Sequence, residues 1–252
     1  MISNTRHRIN KAIQKMEVNF PFPNYTLINR KSYNYIASTI IRYLSPGSKI
    51  LDFGSGPADK AVVLSDLGYN CVCLDDLNDD WHHQDDNINK ILSFAKNSNI
   101  EFVIKNDDVL PFSSGSFDLI MMNDVIEHLH DSPAKIIEDL LKLLRPNGYL
   151  LITTPNLVNL RKRIDVILGK TNLPNFRSFY FYPGKWRGHV REYVKSDFIE
   201  LCEYAGLSVI ELRNYHFMID KLNYLLRWPY VFFTFLIPNT RDTWLLFAQK
   251  RG

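Results

Sequence analysis

At 252 residues, 46% apolar and 23% charged, the chain has the size and balance of one globular α/β domain with insertions and a full core. A net charge of +3 is too small to drive nucleic-acid binding, and three cysteines, two of them in Cys71-Val72-Cys73, read as reduced core residues rather than a disulfide framework. The polar, basic start of the chain lacks the apolar core of a signal peptide, and no run of 18 uncharged apolar residues occurs, so a cytoplasmic protein without a spanning helix is expected.

In chain order, Arg6, Arg8, Lys11 and Lys15 would line a solvated helix face, and Pro21 and Pro23 interrupt the chain beyond it. Ser32 is a candidate N-cap for a helix through Leu44, with Tyr33, Ile36, Ile40, Ile41 and Leu44 at helical spacing. Residues 1–45 thus form a helical lead-in, closed by Ser45-Pro46-Gly47. An apolar strand, Lys49 to Phe53, runs into Gly54-Ser55-Gly56, and a helix comes next with Ala61, Val62, Leu64 and Leu67 on one side. The two glycines leave no Cβ where the backbone must bend and approach a ligand. The helix N-terminus beyond them offers unpaired N–H groups. Asp52, ending the strand, is placed to accept hydrogen bonds from a ligand in the crevice. The dinucleotide fingerprint requires a glycine at position 59, where Asp59 stands, so that fingerprint fails.

Tyr69 to Leu74 is a second strand ending in Asp75-Asp76. In a Rossmann-like unit an acidic residue there, about 20 residues beyond the glycine turn, accepts the ribose hydroxyls; Asp75 takes that role, with Asp76 beside it. The loop from Asp75 to Asp86 holds six aspartates, His82 and His83. It invites a metal reading, but no ligand spacing is met and such loops are usually solvated, so no metal is assigned. An amphipathic helix spans Asn87 to Asn97, a third strand Ile100 to Ile104, and a fully apolar strand Phe117 to Met122, as a parallel sheet covered on both faces requires. Ser132-Pro133 opens a helix through Leu144, Asn147-Gly148 stops it, and Tyr149 to Thr153 is the fifth strand. The alternation predicts a doubly wound α/β sheet.

Several stretches together resemble the class I S-adenosylmethionine-dependent methyltransferases, in particular small-molecule enzymes related to those of quinone biosynthesis. They are the acidic-x-Gly-x-Gly run of Asp52 to Gly56, with Ala58 where a third glycine is usual; Leu110-Pro111-Phe112 followed four residues on by Phe117-Asp118-Leu119-Ile120; Asn123-Asp124-Val125-Ile126-Glu127-His128-Leu129; and Thr154-Pro155-Asn156. The resemblance runs, with interruptions, from about residue 32 to the C-terminus. It implies a single Rossmann-like domain with a seven-stranded sheet of order 3-2-1-4-5-7-6, the last strand antiparallel, and S-adenosyl-L-methionine as cofactor. It puts Asp107 and Asp108 at the adenine and Asn123 and Asp124 near the methionine part, and leaves His128 as a base or a structural residue.

After Asn156 the pattern breaks. Leu157 to Leu168 reads as a helix with Arg161, Lys162 and Arg163, and Asn172 to Gly188 is a loop dense in Phe176, Phe179, Tyr180, Phe181, Tyr182 and Trp186. A connection this long is usually functional and lies on the carboxyl-end side where open α/β sheets bind ligands. Tyr182 and Trp186 are therefore expected to contact an acceptor, the alternative being a satellite hydrophobic cluster. His189-Val190-Arg191-Glu192-Tyr193 looks like a segment that faces the acceptor pocket in family members, which adds His189 and Arg191 as substrate-side residues and makes His128 and His189 candidate bases. A helix capped by Ser196 and strands Leu207 to Leu212 and Trp244 to Ala248 complete the sheet. Tyr215 to Pro238, very apolar but broken by Arg227 and prolines, is a buried cover, a dimer surface or an interfacial anchor. Residues 156–190 and 215–240 are thus expected to surround the acceptor site. The expected function is methyl transfer to a small molecule or glycan/lipid precursor, at oxygen, by a monomer or homodimer. The rivals are a nicotinamide-dependent oxidoreductase, which the missing glycine and missing second mononucleotide-binding half oppose, and a non-catalytic cofactor-binding module.

Overall fold

The computed structural model describes residues 2–106, 109–217, 219 and 222–251. Seven strands form one sheet: β1 (Lys49–Phe53), β2 (Asn70–Asp75), β3 (Glu101–Ile104), β4 (Phe117–Asn123), β5 (Leu144–Pro155), β6 (Leu207–Tyr215) and β7 (Thr243–Lys250). Their order is β3-β2-β1-β4-β5-β7-β6, as expected, with β7 antiparallel to both neighbours and the rest of the sheet from β3 to β5 parallel.

Alternation along the strands divides the core in two. Ile50, Leu119, Met121, Leu151 and Phe247 point to one face, covered by α1 (Ile2–Asn19), α2 (Pro23–Tyr43), α3 (Asp59–Asp66) and α4 (Asn87–Asn97). Leu51, Ile120, Met122, Leu150, Ile152 and Leu246 point to the other, covered by α5 (Pro133–Leu143) and α8 (Lys195–Tyr204). Each layer needs apolar residues at every second position, so the central strands read as unbroken apolar runs. Strand order reverses at β1, and the carboxyl ends of β1, β2 and β4 open a crevice there.

Local chemistry moves several boundaries. α2 starts nine residues before Ser32, because Pro23 occupies its first turn, where a missing N–H costs nothing. Ser32 is no cap; it is buried mid-helix with its hydroxyl 3.3 Å from Tyr215 Oη. Thr26 and Asn29 hide in the same helix by donating to the carbonyls of Pro23 and Tyr25, which disguised its first turns as a polar segment. Ser196 likewise does not cap α8: Asp197 Oδ2 accepts from the Val194 N–H at 3.0 Å. β5 begins at Leu144, so Asn147-Gly148, with Asn147 at φ 61°, bends a strand rather than ending a helix. α6 (Leu160–Ile167) starts later than expected, at Asn159, whose side chain accepts from the Lys162 N–H. The aromatic loop contains a short helix, α7 (Phe176–Tyr180).

The largest departure is α9 (Tyr224–Leu236), a helix inside the broken apolar segment. Thr234 is its buried residue, while Trp228 is 71% and Phe235 74% exposed. α9 is therefore not a buried cover, although Tyr215 and Ile219 before it are buried. Among the described residues no helix is long and apolar enough to cross a membrane.

Candidate functional site at the carboxyl ends of the central strands

The glycine turn is shaped by its neighbours. Gly54 has φ 69°, and a Cβ there would lie 2.4 Å from Val125 Cγ2, so the turn fits against the segment leaving β4 only without a side chain. At Gly56, φ 53°, a Cβ would meet no atom within 4 Å; this backbone faces open space at the crevice. Ala58 holds φ 66° at the start of α3, a left-handed conformation costing an alanine about 1–2 kcal/mol. Asp75 fixes the turn. Its Oδ2 accepts from the Gly56 N–H at 2.7 Å and its Oδ1 from the Leu77 N–H at 2.8 Å. Burial pushes its pKa up against the pull of those two bonds. Each oxygen keeps a lone pair for a further donor.

At the floor, Asp52 Oδ1 accepts from Asn123 Nδ2 at 3.4 Å, and Thr153 donates to Asn123 and Asp124, 3.3 Å from each. Burial pushes Asp52 up to about 7, although the nearby ammonium of Lys60 pulls it down. Asp52 Oδ2, Asp59 Oδ1 and Ser55 Oγ are buried without a hydrogen-bond partner. Lys60 is a participant that the pattern of the sequence does not reveal. Its burial opposes the charge, but Asp59, Tyr25, Asp124 and Asp52 outweigh that and raise its pKa. Tyr33 donates to Asp59 Oδ2 at 2.5 Å and ties α2 to the base of α3. Helical spacing places Lys60 on α3, but nothing in the spacing marks a lysine that turns inward. Asp107 and Asp108 lie outside the described residues.

The crevice mouth is built from the short 3₁₀ turn Ile126–His128 and the chain after α7. The Val190 and Arg191 N–H groups both donate to the Glu127 carbonyl, at 2.7 and 3.2 Å. This brings His189 against His128, their ring centroids 5.0 Å apart. His128 Nδ1 lies 2.8 Å from the Arg187 carbonyl, and His189 Nδ1 2.9 Å from Glu192 Oε1, while Lys162 pairs with Glu192 Oε2. Desolvation lowers the His128 pKa, only partly countered by its carbonyl partner.

The aromatic stretch is latched across the acidic loop. Arg187 pairs with Asp79 at 2.7 Å and Asp76 at 3.6 Å, and Tyr182 donates to Asp80 at 3.0 Å. Asp76 and Tyr182 are therefore engaged with each other's segments, and the loop of aspartates is a strap anchor rather than a free solvated turn. Trp186 packs edge-on to Phe179 and Tyr182; its ring sits where a Cβ on Gly188 would come within 2.2 Å. The Arg191 backbone sits at the mouth, but its guanidinium is engaged elsewhere, 3.6 Å from Asp197 and over the Tyr193 ring.

The crevice thus combines a buried cation, Lys60, with the carboxylates of Asp52, Asp59 and Asp124, and sets Asp75 beside a tight turn. Orphaned buried oxygens are costly unless a ligand satisfies them.

Comparison with known proteins points the same way. Residues 28–212 match the family described as a methyltransferase domain. The chain is 28% identical over 109 residues to a demethylmenaquinone methyltransferase of Corynebacterium efficiens, covering 43% of this chain and 42% of that relative, so it spans about two fifths of the relative's length. It is 27% identical over 179 residues to the ubiquinone/menaquinone biosynthesis C-methyltransferase UbiE of Psychromonas ingrahamii, covering 64% of this chain and 70% of that one. Among solved structures, a methyltransferase of Haloferax volcanii in complex with the Trm112 methyltransferase activator aligns with a TM-score of 0.64 at 13% identity, over 94% of this chain and 98% of that one. At such identity the likeness speaks for the fold alone.

Proposed function

The chain belongs to the methyltransferase-domain family, and from that premise we propose that it transfers the methyl group of S-adenosylmethionine to an oxygen of an amphipathic small-molecule or glycan/lipid acceptor. The observation that supports the reading is the crevice floor, where Asp52 Oδ2 is buried without a hydrogen-bond partner and Lys60 is buried among carboxylates, beside the glycine turn held by Asp75. The donor supplies an electrophilic sulfonium methyl, so the demanding chemistry is the cofactor's. The chain binds, orients and excludes water. Asp75 receives the ribose hydroxyls on its remaining lone pairs, Asp52 and Asp124 face the ammonium and sulfonium charges, and Lys60 faces the carboxylate. Glu127, His128 and His189 line the mouth where an acceptor hydroxyl loses its proton. The strap through Tyr182, Trp186 and Arg187 closes over that mouth.

Exposed apolar surface on the segments after β5 and β6 supports an amphipathic acceptor drawn from a lipid interface. Ile167, Leu168, Phe176 and Phe181 are exposed beside Arg161, Lys170 and Arg177, and α9 exposes Leu225, Trp228 and Phe235. Aromatic and aliphatic side chains with interspersed cations are the composition of interfacial anchors. The test is vesicle co-sedimentation of wild type and Trp228→Ser/Phe235→Ser. Binding lost in the variant, with donor affinity retained, supports the lipid-side acceptor; failure of wild type to bind vesicles removes it.

A second reading, methylation at carbon, is favoured by the C-methyltransferase activity named for the Psychromonas relative. Turnover with methyl-labelled donor decides between them, because the carbon chemical shift of the label separates an O-methyl from a C-methyl product.

A further inference from the structure

We propose that Glu127, His128 and His189 form a binding site for one divalent first-row transition-metal cation at the mouth of the crevice. One ligand atom from each of the three side chains lies within 4.8 Å of the others. Around a tetrahedral ion with bonds of about 2.1 Å such atoms stand about 3.4 Å apart, so closing the set takes side-chain movements of about an ångström.

Three further features favour a cation over a plain polar cluster. Glu127 is 0% exposed, its Oε2 accepts from Thr154 at 2.8 Å, and its Oε1 is buried with no hydrogen-bond partner. A carboxylate oxygen left in that state costs free energy that a metal bond would recover. Next, both imidazoles are held by Nδ1. The Arg187 carbonyl and the Glu192 carboxylate can only accept, so each Nδ1 carries the proton and donates. In the neutral ring each Nε2 then keeps its lone pair, which is how ligating histidines are oriented by their hydrogen-bond partners. Finally, the outer shell is itself braced, with Glu192 pinned by Lys162. The three side chains converge in one cluster, and a cation there would satisfy the orphaned Glu127 oxygen.

Two imidazoles and one carboxylate with open positions suit zinc, manganese or ferrous iron rather than the all-oxygen cages of magnesium or calcium. The site stands on these side chains alone. Its role rests on the proposed methyl transfer: an acceptor hydroxyl taking an open position is oriented and acidified. Its proton leaves to water, the oxygen's electron pair forms the O–CH3 bond, and the S–CH3 pair returns to sulfur. The two histidines are then ligands rather than bases.

The test titrates metal-stripped protein with Co(II) and Zn(II), following the visible ligand-field bands of cobalt and the heat of zinc binding, with S-adenosylhomocysteine titrated in parallel. The expected result is one equivalent bound by wild type and loss of the cobalt bands in His128→Ala and His189→Ala, whose melting temperatures report folding. Glu192→Gln, which leaves all three ligands in place, should weaken binding by about 10–100-fold. Absence of metal binding by wild type, or binding that survives both histidine substitutions, overturns the site. Metal binding without homocysteine-analogue binding overturns the donor reading and leaves the cation site standing. The reverse result does the opposite.

Discussion

The crevice and its mouth are built on different principles. Asp52, Asn123 and Thr153 sit at strand ends, and Asp75 is tied to two backbone N–H groups, so their positions are as fixed as the sheet. The mouth hangs on short helices and on side-chain bridges such as Arg187–Asp79 and Tyr182–Asp80, with most of its aromatic surface exposed. Rigid strand ends can hold one invariant cofactor, while insertions after the fifth strand can be reshaped for different acceptors without disturbing it. The comparison predicts that crevice substitutions act on donor affinity and mouth substitutions on acceptor turnover.

Asp75→Ala gives the largest effect. It removes the clamp on the glycine turn and, in the proposed binding mode, the ribose acceptors together, and homocysteine-analogue affinity measured by calorimetry should fall about 100-fold, at about 1.5–3 kcal/mol for each charged hydrogen bond. If acceptor turnover changes while donor affinity stays intact, the division between the regions breaks.

The next effect is a pH dependence. Asp52 stands at about 7 in the free protein, and a bound sulfonium favours its ionised form. Between about pH 6 and 8 the ionised fraction rises about tenfold, so S-adenosylmethionine affinity should rise about tenfold, with proton release visible as a buffer-dependent heat. The neutral thioether should show less of this, and Asp52→Asn should flatten it. The same burial raises the folded pKa above that of the unfolded chain. This group therefore makes the ligand-free protein less stable as pH climbs from about 4 to 7.

Gly188→Ala drives a Cβ into the Trp186 ring and should raise the acceptor KM several-fold at unchanged donor affinity. Arg187→Ala is the mildest. It cuts a partly exposed latch worth about 0–1 kcal/mol, so acceptor KM should change no more than about fivefold.

The difference between the regions also decides what could be read in the sequence. β1, the glycine turn, α4 and the Ser132-Pro133 start of α5 were legible because local chemistry alone fixes them, and the resemblance supplied the strand order. Ser32 misled because Thr26 and Asn29 satisfy themselves within α2, so a buried face looked polar. Lys60 and Glu127 were invisible as site residues: a charged residue turned inward leaves no mark in apolar spacing, and it takes the fold to show what surrounds it. His128 and His189 stand 61 positions apart and meet only because the Glu127 carbonyl captures the backbone after Gly188. The acidic loop drew attention as the metal-like stretch, yet its aspartates hold Arg187 and Tyr182. α9 showed its apolarity but not its exposure, since no periodicity separates a helix buried all round from one left open.

The most direct measurement is calorimetric titration of the purified protein with S-adenosylhomocysteine, with NAD and NADP run under the same conditions. Micromolar binding of the homocysteine analogue, with neither nicotinamide bound, is the predicted result. Binding of a nicotinamide cofactor alone would contradict the assignment of Asp52, Asp75 and the glycine turn to a methyl donor.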